Sequence, residues 1–223
     1  MDTLAWLLLA LPLLSAATIH LGLKNLQNVS ALLSTAVAGA ILLITIFLIS
    51  SETTDVSFSW ATLPDIEIEI GLKLDFFAKN MMLVVTGVGF LVHLFSLAYM
   101  KEDSAKARYF GALSLFMFSM TGIVLASNFI MMFVFWELVG LSSFLLIGHW
   151  YEKESAADAA KKAFLTNRIG DFGFMIGILM LWGITGTFTF SGLEIWVAEN
   201  PAYFVAAPVA FGVAVLCIFA GAM

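Results

Sequence analysis

Three ionisable residues stand where water should be scarce. Glu137 lies in the run Phe-Val-Phe-Trp-Glu-Leu-Val-Gly-Leu-Ser-Ser, and Arg168 and Asp171 lie in Asn-Arg-Ile-Gly-Asp-Phe-Gly. Each interrupts a stretch apolar enough to sit in a bilayer, where an ionisable side chain costs about 2.5–3.5 kcal/mol on insertion scales and marks a pathway, a pair or a relay. A carboxyl taken out of water resists ionisation, so it can accept and release a proton near neutral pH. That is the chemistry open to Glu137. The plainer reading is a protonated glutamate hydrogen-bonded to a neighbouring backbone. No basic residue lies within four positions of Glu137, so an ionised Glu137 needs a partner from another helix. Arg168 and Asp171 are three residues apart, on one helix face, and the spacing predicts that they neutralise each other.

Long apolar elements must hold these groups. Seven stretches, 4–22, 30–50, 76–99, 109–126, 129–150, 163–184 and 202–223, approach the roughly 20 apolar residues that span a bilayer. Apolar residues make up 61% of the chain and the mean hydropathy is +1.01, more than a soluble fold of this length could bury. The reading is all-α: a polytopic transmembrane bundle of about seven helices in a single membrane domain, 1–223. The first stretch differs from a signal peptide, because its leader Met-Asp-Thr carries no basic residue and its apolar run is long. One linker breaks the pattern. Residues 56–60 alternate, Pro64-Asp65 reads as a turn, and Ile-Glu-Ile-Glu-Ile alternates strictly over 66–70, so a short β-hairpin is expected at about 55–70.

Charge asymmetry orients the bundle. One side holds Lys24, Lys101, Lys106, Arg108, Lys153, Lys161 and Lys162; the other holds only Lys73 and Lys79 among many acids. Basic loops stay in the cytoplasm, so the N-terminus and the hairpin are expected outside.

The net charge of −6 gives no reason to expect nucleic acid as a partner; bilayer, protons and neighbouring membrane proteins remain. A single cysteine, Cys217, can close no internal disulfide and cannot hold an iron–sulfur cluster. His93 and His149 fall about 8 Å and 14 Å from the middles of their helices at 1.5 Å per residue, a poor match for shared haem ligation. His93 suits a packed, hydrogen-bonded role or a place on a proton path, and His20 sits at a helix end. Gly140, Ser142 and Ser143 suit close helix contact and interhelical hydrogen bonds, as do Gly170, Gly173 and Gly177. Tyr99, Tyr109, Trp150 and Tyr151 sit at helix ends, where they would anchor the interface.

Longer strings carry a resemblance. Phe135-Trp136-Glu137-Leu138-Val139-Gly140-Leu141-Ser142-Ser143-Phe144-Leu145-Leu146-Ile147-Gly148 resembles the fifth helix of subunit L of NADH:quinone oxidoreductase (respiratory complex I). Lys162-Ala163-Phe164 followed by Asn167-Arg168-Ile169-Gly170-Asp171-Phe172-Gly173 resembles the start of the sixth, and the acidic hairpin ending Leu74-Asp75 resembles the outer loop after the second. The resemblance implies an antiporter-like, proton-translocating subunit of a multi-pass complex in the inner (plasma) membrane. It implies that Glu137 belongs to the proton channel and pairs with a lysine on helix seven. It implies further that Arg168 and Asp171 tune that site, and that Lys162, beside Lys161, matches a lysine at the cytoplasmic start of helix six. No cofactor is expected on this chain; NADH, FMN, iron–sulfur clusters and quinone would belong to partner subunits. The family's helix-seven lysine comes just after Gly-Ala-Met, where this sequence ends. The expectation is therefore the N-terminal portion of a longer subunit, inactive alone, with the lysine supplied from beyond Met223. A multi-subunit sodium/proton antiporter, a membrane hydrogenase and an assembly-only fragment are the rival readings.

Overall fold

The computed structural model describes residues 2–63, 66–203 and 208–222. Six helices are long and apolar enough to cross a membrane: α1 (Asp2–Leu21), α2 (Gln27–Leu48), α3 (Phe76–Tyr99), α4 (Lys106–Leu125), α5 (Phe129–Ile147) and α6 (Glu154–Thr185). The seventh apolar run is described as a 15-residue helix, α8 (Pro208–Ala222). The described residues thus hold six spans and the described part of the seventh apolar run, in keeping with a bundle of about seven helices. Residues 204–207 of that run, and the expected turn Pro64-Asp65, lie outside the described residues.

The linker forms the expected hairpin, somewhat longer than 55–70. Strands β1 (Thr54–Leu63) and β2 (Ile66–Leu74) pair antiparallel, with a register irregularity between Ser59 and Ala61. Gly71 brings the hairpin onto the bundle, since a side chain there would run into Ser127. The Ser127 amide donates to the Gly71 carbonyl at 3.1 Å, and the Asn128 amide side chain donates to the Glu69 carbonyl at 2.9 Å. The same Asn128 caps α5 by accepting from the Met131 amide at 2.8 Å. The hairpin therefore fixes where α5 begins, and with it the depth of every residue on α5. Asp75 caps α3 in the same way, accepting from Ala78 at 2.8 Å.

Helix α4 is the centre of the bundle, touching α1, α2, α3 and α5. Its small and hydroxylated residues allow this. Ser114 hydrogen-bonds Ser15 of α1 at 3.1 Å and Ser34 of α2 at 2.7 Å, so three helices share one buried hydroxyl cluster. Such bonds replace the hydrophobic drive that lipid cannot supply between helices. Gly122 leaves room for the Phe135 ring of α5.

Two features depart from the apolar-run pattern. Helix α6 starts at Glu154 rather than near 163 and runs 32 residues. Its first turns, Glu-Ser-Ala-Ala-Asp-Ala-Ala-Lys-Lys, are polar but rich in alanine and other strong helix formers, so the helix continues beyond the bilayer. A ten-residue helix, α7 (Phe190–Glu199), follows at the hairpin end, its first turn capped by the Thr189 hydroxyl accepting from Gly192 at 3.1 Å. Gly170, Gly173 and Gly177 form the expected packing stripe, and the partner is α8. A Cβ at Gly177 would sit 2.7 Å from the Ala214 carbonyl oxygen and 2.8 Å from the Ile218 amide.

Candidate functional site

Helix α5 carries Glu137 one residue from its midpoint, facing α6. The two helices run antiparallel, with Phe133 and Trp136 against Phe174 and Phe144 against Phe164. That register brings Arg168 to Glu137, and an Arg168 Nη1 pairs with Glu137 Oε2. The arginine also lies over the Phe164 ring, 4.8 Å from its centroid. Within this chain the Arg168 side chain is 46% exposed and that of Glu137 23% exposed.

The expected Arg168–Asp171 neutralisation is therefore corrected: the salt-bridge partner of Arg168 is Glu137. Helical side chains lean toward the N-terminus of their helix. Arg168 precedes Asp171, so its side chain leans away from the aspartate, and a basic residue ahead of an acidic one is the weaker order. Asp171 is buried, on the same cavity wall as Trp136 and with the Arg168 charge one turn away. Glu137 likewise has a partner within this chain, where the resemblance placed it on a lysine of helix seven. Lys162 lies apart: it is exposed, six residues from Arg168, about 9 Å along the axis.

A cavity of about 200 Å³ opens between α5, α6 and α8, walled by Trp136, Gly140, Asn167, Gly170 and Asp171. Its polar walls and size suit several waters, each taking about 30 Å³. Gly140 touches no neighbouring helix but gives this cavity its room, and Ser142 donates to the Leu138 and Val139 carbonyls of its own helix. Ser142 is fully buried, so the close contact expected of it is made, but its hydroxyl bonds its own helix instead of a neighbour. His93 is packed as a buried histidine, Nδ1 against the Gly89 carbonyl at 2.7 Å, away from this site.

Trp136 was not singled out by its sequence, although a signal existed. Tryptophans favour the membrane interface, and this one stands mid-helix beside Glu137. A second cluster lies at the basic end of the bundle. Asp103, between α3 and α4, accepts from the Trp150 indole at 2.8 Å and from His149 Nε2 at 3.3 Å. Arg108 donates to the His149 carbonyl at 2.6 Å and stacks on Tyr151. Burial pushes the His149 imidazole below its ordinary pKa, opposed by the Asp103 charge and aided by Arg108. Burial alone would raise Asp103, but the Ala105 amide, the Trp150 indole and His149 together hold it below the usual carboxylate range. At neutral pH the Asp103–His149 contact is thus a hydrogen bond to a neutral ring rather than an ion pair. Trp150 and Tyr109, expected as interfacial anchors, are tied in here as well, Tyr109 through Ser96 at 3.1 Å.

Known proteins resemble this chain in sequence and in fold. Residues 126–223 match the family described as NADH:quinone oxidoreductase/Mrp antiporter, TM. Residues 60–110 match NADH-Ubiquinone oxidoreductase (complex I), chain 5 N-terminus. The chain is 38% identical over 199 residues to NAD(P)H-quinone oxidoreductase chain 5 of Synechocystis sp., covering 84% of this chain and 29% of that protein. It is 39% identical over 197 residues to NADH-quinone oxidoreductase subunit L of Mycobacterium tuberculosis, covering 84% and 31%. The chain thus spans less than a third of the length of these relatives. Among solved structures, one of the Mrp complex from Dietzia sp. DQ12-45-1b matches with a TM-score of 0.81 and 26% identity, over 98% of this chain and 23% of that one. The archaeal membrane-bound sulfane sulfur reductase shares the fold, with a TM-score of 0.78 at 24% identity over 97% of this chain and 43% of that one. With both matched segments on the membrane bundle described above, this chain carries the transmembrane domain that NADH:quinone oxidoreductase and Mrp antiporters share, preceded by a match to the complex I chain 5 N-terminus.

Proposed function

We propose that this chain carries a proton-transfer site of a membrane subunit of NADH:quinone oxidoreductase, with the redox chemistry and its cofactors held by partner subunits in the same plasma (inner) membrane. The observation that carries the reading is the interhelical Glu137–Arg168 pair at mid-membrane, with the second carboxylate, Asp171, one turn from the same arginine. Protonation of Glu137 would cancel its charge and free the guanidinium, and deprotonation would recapture it. Moving one charge through 100 mV takes about 2.3 kcal/mol, so the site must change its proton affinity by that order during a cycle. Asp171, on the wall of the cavity, would pass a proton between water entering it and the pair. Lys162, at the basic end of α6, would set the potential at the mouth of that route.

Glu137→Gln in native membranes tests the role. Shape and hydrogen bonding survive while titration is lost, so proton pumping should fall steeply with the complex assembled. Normal pumping by the assembled Gln variant would reject the relay and leave an assembly role.

The likeness to the Mrp complex supports a second reading, a subunit of a multi-subunit sodium/proton antiporter. Purification under mild detergent separates them: NADH-dehydrogenase subunits should accompany this chain under the first reading, antiporter subunits alone under the second.

A further inference from the structure

The basic end of the bundle, the cytoplasmic side by the positive-inside rule, contains two adjoining cavities. The larger, about 540 Å³, lies between α1, α4, α5 and α6; its inner wall is apolar, with Ala112, Phe144 and Leu145, and Ala157 lines its outer part. That volume falls within the roughly 300–1,000 Å³ of small-molecule sites. The smaller, about 390 Å³, opens beside it and shares His20 and Arg108. Lys161 stands at the rim of the first and Lys24 at the rim of the second, and neither wall carries an acidic side chain. Two acids lie nearby: Asp158 meets Lys161 at 3.5 Å on the exposed surface, and Asp103, which accepts from the Ala105 amide at 2.7 Å, is engaged by His149 and Trp150. Gly111 is held as glycine by the His20 ring, which would collide with any Cβ, so the histidine is seated against α4 at the junction of the two spaces.

An apolar chamber opening at the basic end of the bundle, with three basic side chains and a histidine around its mouth, matches the two ends of one molecule class. We propose that it is a site for a single anionic phospholipid, one acyl chain in the larger cavity and the phosphate among Arg108, His20, Lys24 and Lys161. Basic groups at the cytoplasmic leaflet each favour anionic lipid by about 1 kcal/mol, roughly fivefold in affinity. The apolar wall supplies retention that charge alone lacks. The site is separate from the Glu137 pair and stands whether or not that pair carries protons.

The test is native mass spectrometry of the purified chain in detergent, titrated with phosphatidylglycerol or phosphatidylcholine of identical acyl chains. One phosphatidylglycerol should be retained in preference to phosphatidylcholine. Lys24→Gln with Lys161→Gln, both exposed and harmless to folding, should weaken its binding about 25-fold, the product of two fivefold losses. Leu145→Trp should weaken both lipids by filling the chamber while leaving the cations in place. Equal retention of the two lipids overturns the proposal. So does displacement of phosphatidylglycerol by millimolar inorganic phosphate, or insensitivity to Leu145→Trp, either of which would mean an anion site without an acyl chain. A benzophenone placed at Leu145 that crosslinks in native membranes to a polypeptide instead of lipid also overturns it.

Discussion

Arg168→Gln should destabilise the protein more than Glu137→Gln, and the reason is the company each group keeps. Without Arg168, Glu137 has no other ion-pair partner among the described residues. Its escape is protonation, and holding a carboxyl neutral at pH 7 against a reference pKa of about 4.3 caps the penalty near 3.7 kcal/mol. Both partners are partly exposed in this chain, 46% and 23%, so screening lowers the expected loss to about 1–2 kcal/mol. Without Glu137, Arg168 still has Asp171 one turn away and the Phe164 face, and the loss should stay under about 1 kcal/mol. For a chain of this size each kcal/mol moves the melting temperature by about 2–4 °C, so Arg168→Gln should lower it by about 2–8 °C at pH 7.5. Tryptophan fluorescence of the detergent-purified protein reads this directly. The double variant should recover most of the Arg168→Gln loss, giving a coupling of about 1–2 kcal/mol. The same cycle for Arg168 and Asp171 should give no more than about 0.5 kcal/mol. Additive effects at Glu137 and Arg168, or a larger coupling to Asp171, would refute the pairing and restore the same-helix pair.

Other outcomes follow from the packing and the basic end. Gly177→Val should lower stability by about 1–3 kcal/mol, because any Cβ there meets the α8 backbone, whereas Gly183→Ala, with open space around it, should be neutral or slightly stabilising; melting temperatures of the two variants check the contrast. His149 titrates lower in the folded protein than when unfolded, so its contribution to stability is complete above the ordinary value near 6.5 and is lost as pH falls through that value. Asp103, also lowered, adds a loss only at more acid pH, below the ordinary carboxylate range. Melting curves at pH 7.5 and 5.5 should show the fall for wild type and a flatter response for His149→Gln. Cysteines at Thr62 and Glu154, after Cys217→Ser, should label from opposite faces of sealed vesicles; labelling from one face would reject the orientation.

Much of this arrangement was legible in the chain. The hairpin announced itself by strict alternation between charged and apolar residues, and Glu137 by a charge in the middle of an apolar run. The Gly170, Gly173, Gly177 stripe correctly signalled close approach, since small residues at that spacing have little other use between membrane helices. The pairing was misread because residue spacing says which side chains share a face but not which way they lean. Arg168 reaches toward its own N-terminus and into α5, and nothing in a single helix reports that a neighbour's Glu137 and Trp136 will stand there. Helix α7 was missed because ten residues with Gly192 and Glu194 inside carry no membrane signal. The early start of α6 was missed because hydropathy marks the bilayer, while alanine and charge continue a helix past it.

The Trp136 indole, on the same cavity wall as Asp171, is positioned to keep one guanidinium from having two equal suitors. Arg168 lies within electrostatic reach of both Glu137 and Asp171, and an indole N–H offered to Asp171 would hold that carboxylate apart. A hydrogen bond to a carboxylate contributes about 1.5–3 kcal/mol, comparable to the roughly 2.3 kcal/mol that 100 mV demands per charge. Trp136→Phe removes that donor while keeping an aromatic ring against Phe174, where the present rings meet edge to face at 5.4 Å. Asp171 should then compete for Arg168, and the Glu137–Arg168 coupling measured by double-mutant cycle should fall by about half or more. Proton pumping by the assembled complex should drop about tenfold, the kinetic equivalent of about 1.4 kcal/mol. Adding Asp171→Asn removes the competitor, so the Glu137–Arg168 coupling should return even though the indole is still missing. If Trp136→Phe leaves that coupling unchanged, or if Asp171→Asn fails to restore it, the indole is packing alone and the two carboxylates do not share the arginine.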